Sequence, residues 1–280
     1  MQKLKTIGLT SILLTLLLTG CAGQKETKEK NNTLSVIDEA SQNSANLENG
    51  MYTYTSSQNI DDENSIIHGN GIFVQLPDQI MWSTQVVLGQ RENETRTLTE
   101  NFQKSGKLYQ RIGLVNEKND YIEENGVPNW EIVAEESSLL PLYLEGLLEV
   151  DILKEDIESI EVSDEGDYTV HELLYTEDYR DSVMKENIQE LEAALEKQTA
   201  ENADDFHINS LKTAIKEQKN NEYTNKRVLV KINKENILFY RLTEDSFNIS
   251  VNDTVQSGTV TIETMIENYN DPSIGIDIEI

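Results

Sequence analysis

Cysteine is almost absent from this chain, since Cys21 is the only one among 280 residues. A single cysteine cannot form an internal disulfide or supply the set of thiolates that a structural zinc site requires. Cys21 directly follows an N-terminal apolar run. If it is modified there, the folded part of the chain has no thiol left for catalysis.

Histidines and catalytic motifs are also scarce. His68, His171 and His207 are far apart in sequence and form no HExxH or similar metal-binding cluster. No GxSxG motif, phosphate-binding loop or EF-hand loop is present. The acidic pairs Glu123-Glu124 and Glu135-Glu136 could be offered as acid–base groups, but 51 acidic residues make such pairs common by chance. We therefore expect no enzymatic activity, no cofactor and no metal.

Positively charged residues are few along the whole chain. There are 23 Lys and Arg residues against 51 Asp and Glu, which gives a formal net charge of −28. This balance argues against nucleic-acid binding, which needs a basic face to displace counterions. It also argues against flat contact with an anionic membrane surface. We interpret the acidic residues as a strongly solvated surface.

The chain has no apolar run long enough to cross a bilayer. The longest, from Ile7 to Leu18, falls short of the roughly 20 residues that a spanning helix needs. It follows Lys3 and Lys5 and precedes Leu18-Thr19-Gly20-Cys21, which resembles a bacterial lipobox. The alternative is an ordinary signal peptide with a chance cysteine. We expect residues 1–20 to be cleaved and Cys21 to carry the lipid that anchors the chain to the outer face of the cytoplasmic membrane.

Few prolines and no linker-like stretch interrupt the rest of the chain. Residues 21–33 are polar and charged after the cysteine, and we interpret them as a flexible tether. Residues 34–280 are then predicted to form one domain.

Apolar periodicity predicts an α+β fold. A helix is expected from Leu34 to about Leu47, and two helices joined by a short loop are expected from about residue 177 to 219. Alternating patterns predict the following strands: 51–60, 65–75, 79–88, 95–103, 107–112, 129–134, 157–162, 167–175, 226–232, 236–242, 246–251 and 258–265. Short strands with turn signals at this spacing indicate antiparallel meanders.

One segment differs from the others. Ser137–Val150 (SSLLPLYLEGLLEV) is rich in leucine, and Pro141 and Gly146 interrupt any long helix. It is interpreted with equal weight as a buried core segment or as a lid that lines a ligand cavity.

The layout resembles the LolA/LppX-like lipoprotein superfamily. The residues that carry the resemblance are the lipobox, the helix Val36–Ala40 leading into Met51–Thr55, the turn and strand Gly106–Tyr109 followed by Trp130, and the terminal Tyr269-Asn270. The resemblance implies a strongly curved antiparallel sheet, a half-barrel, with helices including a helical hairpin on its concave face. It also implies a space between sheet and helices that holds an acyl chain, and no catalytic residues.

Two functions follow as hypotheses. In the first, the protein binds a lipid or lipopeptide between the sheet and the elements at 137–150 and 177–219. Candidate wall residues, which could equally be ordinary core residues, are Met81, Trp82, Leu139, Leu140, Leu142, Tyr143, Leu147 and Leu148. In the second, the fold is filled and the protein is an interaction or sensor module that meets another protein of the cell envelope.

Overall fold

The computed structural model describes residues 30–60, 63–75, 80–88, 96–122, 126–134, 152–200, 205–251 and 254–276. The predicted signal peptide, Cys21 and the leucine-rich segment 137–150 lie outside these residues. None of the described helices is both long and apolar enough to cross a membrane.

Three helices and eleven strands make up the described elements. They are α1 (30–45), β1 (Asn49–Ile60), β2 (Glu63–Val74), β3 (Ile80–Leu88), β4 (Arg96–Lys104), β5 (Lys107–Val115), β6 (Glu131–Ala134), β7 (Ile157–Asp164), β8 (Tyr168–Tyr175), α2 (Glu177–Ala200), α3 (Asp205–Lys219), β9 (Asn221–Asn233), β10 (Leu238–Val251) and β11 (Thr254–Glu267).

The strands form one open antiparallel sheet in the order β6-β5-β4-β3-β2-β1-β11-β10-β9-β8-β7. Two meanders, β1–β6 and β7–β11, are joined by the pairing of β1 with β11. Ser105 and Gly106 have positive φ at the tight turn between β4 and β5, as a two-residue hairpin requires. The predicted α+β class, with a large antiparallel sheet and helices, is confirmed.

The main core lies on one face of the sheet, which we call the helix face. Ile37, Ala40 and Leu47, from α1 and the turn after it, are almost fully buried. They belong to one apolar cluster with side chains from the central strands. The sheet members of this cluster include Tyr52, Tyr54, Phe73, Val228, Val230 and Ile266. Alternation along each strand places Thr53, Thr55 and their neighbours on the opposite face.

A buried serine fastens α1 to the sheet. The Ser44 hydroxyl accepts a hydrogen bond from the Leu238 N–H at 2.9 Å. It lies 2.8 Å from the carbonyl oxygens of Ala40 and Leu238, to one of which it donates. Both Ser44 and Leu238 are fully buried, so water cannot replace these bonds.

The first helix extends beyond its predicted start. Residues 30–33, which the sequence assigns to the tether, are helical. Lys30 donates to the carbonyl of Ile157, and Leu34 packs against the core. These contacts hold the first turn of α1 against the folded domain.

The separate strands predicted at 236–242 and 246–251 are wrong, because one continuous strand, β10, covers both. The intervening Thr-Glu-Asp sequence has the composition of a turn. In the structure Asp245 lies opposite Lys226 on β9, and the Lys226 Nζ is 3.1 Å from the Asp245 Oδ1. This cross-strand ion pair neutralises the Asp245 carboxylate, so the strand continues through this position.

The helical hairpin contributes less to the core than its apolar periodicity suggests. In α2, 24 residues long, no residue is buried, although Tyr179 in its first turn packs against the main core. The rest of α2 lies mainly along α3, in which Ile215 is buried. The apolar side chains of α2 therefore pack largely against α3.

Candidate functional site

An exposed apolar patch lies on the helix face of β3–β5. It consists of Val87, Ile112 and Leu114, whose side chains are 38%, 53% and 42% exposed. Val87 and Leu114 each lie opposite Thr97 of β4, and Ile112 is two residues before Leu114 on the same strand. The three residues therefore lie on one face at one end of the three strands.

The apolar patch is continuous with the main core. Val87 is paired with Ile67 of β2, which is partly buried and packs against the core cluster. Apolar surface thus begins inside the fold at Ile67 and continues outward through Val87 to Leu114. Among the residues that the structure describes, side chains bury only the inner end of this apolar surface, at Ile67.

A row of neutral polar side chains crosses the same face beside the apolar patch, two residues from Ile112 and four from Leu114 along β5. It runs from Tyr52 through Ser83 and Asn101 to Gln110. The Gln110 Nε2 donates to the Asn101 Oδ1 at 2.9 Å, and the Asn101 Nδ2 lies 3.5 Å from the Ser83 hydroxyl. Burial raises the pKa of the Tyr52 hydroxyl, which keeps it neutral. This face therefore offers an apolar patch with uncharged hydrogen-bonding groups beside it.

The two predicted wall residues that the structure describes lie on opposite faces. Met81 is buried on the helix face within the main core. Trp82, the next residue, lines a groove on the other side. Consecutive residues of a strand cannot line one side of the same cavity. The predicted wall residues Leu139, Leu140, Leu142, Tyr143, Leu147 and Leu148 lie outside the described residues.

The groove on the opposite face, which we call the groove face, encloses about 580 Å³. It crosses β1–β4 and is open to solvent. Its lining comprises Thr53, Tyr54, Thr55, His68, Gly69, Asn70, Trp82, Thr84, Val86, Arg96, Leu98, Glu100 and Asn119.

A buried carboxylate organises one wall of this groove. The Glu100 Oε2 accepts hydrogen bonds from the Arg111 Nε at 2.5 Å and from the Tyr121 hydroxyl at 2.6 Å, and the Trp82 indole lies beside this carboxylate. The Arg111 guanidinium lies 4.5 Å from the centre of the Trp130 ring. Burial alone would raise the pKa of Glu100, but these hydrogen bonds outweigh it and lower the pKa. The Glu100 carboxylate is therefore ionised and fixed in position by its hydrogen-bond partners.

The segment after β5 folds over this network. A side chain at Gly113 would meet the Tyr121 ring at 2.6 Å, so glycine allows the segment to approach the sheet closely. Tyr121 packs against the small cluster of Val86, Leu98 and Val115. At the end of β3–β5 near Val86, Leu98 and Val115, the buried side chains are on the groove face, and the helix face carries the exposed apolar patch.

Strand periodicity could not reveal the apolar patch, as the sequence of β5 shows. In KLYQRIGLV the two alternating series, Leu108, Gln110, Ile112, Leu114 and Tyr109, Arg111, Gly113, Val115, both contain apolar residues. Periodicity predicts the strand, but it cannot decide which of the two series is buried.

Within the described part of the chain, no group of three or more His, Cys, Asp or Glu residues could hold a metal ion.

No family model and no curated protein matches this chain. Among solved structures it is similar to LprF from Mycobacterium bovis, with 9% identity and a TM-score of 0.33 over 87% of this chain and 95% of that one. It is also similar to the LolA superfamily protein NE2245 from Nitrosomonas europaea, with 10% identity and a TM-score of 0.24 over 87% and 97%. A putative outer membrane lipoprotein-sorting protein domain from Vibrio parahaemolyticus gives 9% identity and a TM-score of 0.24 over 90% and 94%.

At these identities no residue role is transferred from those proteins.

Proposed function

We propose that this chain is a lipid-anchored protein of the cell envelope that binds the acyl part of a lipid or lipopeptide on the helix face of its sheet. The observation that carries the proposal is the apolar patch, Val87, Ile112 and Leu114, which continues the core but is left half-exposed. Its predicted location, the outer face of the cytoplasmic membrane, depends on the lipobox ending at Cys21.

The size of the apolar patch favours an acyl chain over a protein surface. Ile112 and Leu114 are about 7 Å apart along the strand, and β3 and β5 are about 10 Å apart. A stable protein interface buries about 800 Å² on each partner, far more than this strip provides. A single hydrocarbon chain is narrow enough to lie along it.

The surrounding charge indicates which lipids fit. Near the apolar patch, the partly exposed Asn101 and Gln110 offer neutral hydrogen-bonding groups, and the protein carries a net charge of −28. An anionic headgroup would be repelled. An acyl chain attached to an uncharged ester, amide or sugar matches both features.

Substitution of two residues in the apolar patch tests the proposal. Full burial of a Leu or Ile side chain is worth about 2 kcal/mol, and each of these side chains is about half exposed. A ligand that covers both gains about 2 kcal/mol, so we expect the double variant Ile112→Ser/Leu114→Ser to bind about thirtyfold more weakly.

The assay is titration of residues 22–280 with the uncharged methyl ester of the fluorescent fatty acid cis-parinaric acid, because the free acid carries the negative charge that the protein is expected to repel. Val162→Ser is the matched control, because Val162 is also 53% exposed but lies on β7 at the far edge of the sheet. Equal affinity in the wild type, the double variant and the control contradicts the assignment to this patch.

A second candidate, a protein-interaction module, is supported by one observation. β6 is a four-residue strand paired only with β5 within the described sheet, and its Ile132 and Val133 are 50% and 49% exposed. Such an edge can accept a strand from a partner. Envelope crosslinking from position 133 that captures one specific protein, together with no acyl ligand, favours this candidate.

A further inference from the structure

The groove on the face opposite the apolar patch is a second site with different chemistry. It crosses four strands and so is about 14 Å wide across the sheet. We propose that it binds a short, uncharged, β-1,4-linked oligosaccharide. This inference does not depend on the lipid proposal, because the two sites share no side chain.

The floor of the groove is a row of uncharged polar side chains. Thr53, Asn70 and Thr84 are cross-strand neighbours on β1, β2 and β3. The Thr84 hydroxyl donates to the Asn70 Oδ1 at 2.9 Å, which fixes the orientation of the amide and leaves its NH₂ group as a donor. In the next row, the Thr55 hydroxyl and the His68 Nδ1 are 3.0 Å apart. Closely spaced donors and acceptors of this kind match the hydroxyls of a sugar.

One end of the groove provides an aromatic surface. Trp82 lines it, and its indole lies beside the Glu100 carboxylate. Arg111 and Tyr121 fix the position of that carboxylate. A fixed acceptor beside the indole limits the movement of the ring before any ligand arrives, which reduces the entropy lost on binding. The C–H face of a pyranose ring packs well on such an apolar surface with a polar rim.

The charge of the groove excludes polyanions and favours a neutral ligand. Glu100 is the only carboxylate among the described lining residues, and its ion pair with Arg111 neutralises it. Arg96 is the one permanent cation among the lining residues that the structure describes, and it donates to the carbonyl of Glu117. The net charge of −28 on the whole chain repels anionic polymers at longer range.

The shape of the groove selects an extended glycan. Its floor is a sheet surface, wide and open rather than deep, and its polar row runs straight across the strands. A β-1,4-linked chain is itself flat and extended, so successive rings can lie along this row. A helical α-linked chain would touch the floor with only part of its length.

The experiment is titration of ¹⁵N-labelled residues 22–280 with N-acetylated chitotriose and with cellotriose, followed on the indole N–H signals of the two tryptophans. Loss of one signal in Trp82→Phe assigns the Trp82 resonance. We expect that resonance to shift, with a Kd of about 1 mM or tighter for at least one sugar. Maltotriose, which is α-linked, is expected to bind more weakly.

Two threonine variants make the test specific. Thr84→Val removes a hydroxyl from the groove floor and is expected to weaken sugar binding about fivefold. Thr97→Val makes the same change on the helix face of β4 and is expected to leave sugar binding unchanged. Absence of any Trp82 shift with both β-linked sugars, or equal weakening by both variants, overturns the proposal. Neither result bears on fatty-acid binding at the apolar patch.

Discussion

Replacing Glu100 by glutamine removes the charge that organises the wall of the groove. The Glu100 side chain is 9% exposed and that of Arg111 is 23% exposed, so the pair lies mostly out of water. Loss of one partner from a fully buried ion pair destabilises a protein by about 3–5 kcal/mol. Because Arg111 keeps some contact with solvent and the glutamine can still accept from Tyr121, we expect Glu100→Gln to lose about 2–3 kcal/mol of stability.

Urea denaturation at pH 7, followed by tryptophan fluorescence and circular dichroism, measures this loss. Glu192→Gln is the matched control. The Glu192 Oε1 also accepts a short hydrogen bond, 2.6 Å from the Lys219 Nζ, but both side chains are about half exposed. The control should change stability by less than about 1 kcal/mol. Equal losses in the two variants would refute the view that burial makes the Glu100 pair structurally important.

The same carboxylate predicts a pH dependence. The pKa of Glu100 in the folded chain is lower than its ordinary value, so its contribution to stability is fully present above about pH 5. That contribution is lost as pH falls through about 4.3 and below. We expect the stability of Glu100→Gln to fall less steeply than that of the wild type over this range.

Two further predictions concern buried polar groups on the helix face. Ser44→Ala leaves a buried N–H without its partner and is expected to lower the free energy of unfolding by about 1–3 kcal/mol in urea denaturation. Ser182→Ala, which removes an exposed hydroxyl from α2, should be neutral within about 0.5 kcal/mol. Burial lowers the pKa of His171, so stability should fall as pH drops below about 6.5, and His171→Gln should flatten this part of the profile. An unchanged profile in His171→Gln would contradict its burial in the neutral form.

The elements of the fold were largely predictable because their signals are local. The strand at Met51–Ile60 and the tight turn at Ser105-Gly106 are correct, since alternation and left-handed turn residues report directly on backbone conformation. β10 was split in error because Thr243-Glu244-Asp245 has turn composition. The partner that keeps this stretch extended, Lys226, is distant in sequence.

The sites could not be predicted because they depend on which strands become neighbours. Glu100, Arg111 and Tyr121 are spaced along β4, β5 and the segment after them, and Trp82 comes from β3. No spacing rule connects these residues until the meander brings the three strands together. Met81 and Trp82 were predicted to share a wall because both are large and apolar, but their alternation on one strand separates them.

Native mass spectrometry with lipid extraction, on residues 22–280 purified from a bacterial host, tests acyl-ligand binding most directly. The account predicts a co-purifying acyl ligand in near-stoichiometric amount, reduced in Ile112→Ser/Leu114→Ser and retained in Val162→Ser. A ligand-free mass for all three proteins, together with no uptake of cis-parinaric acid methyl ester by the wild type, would contradict it.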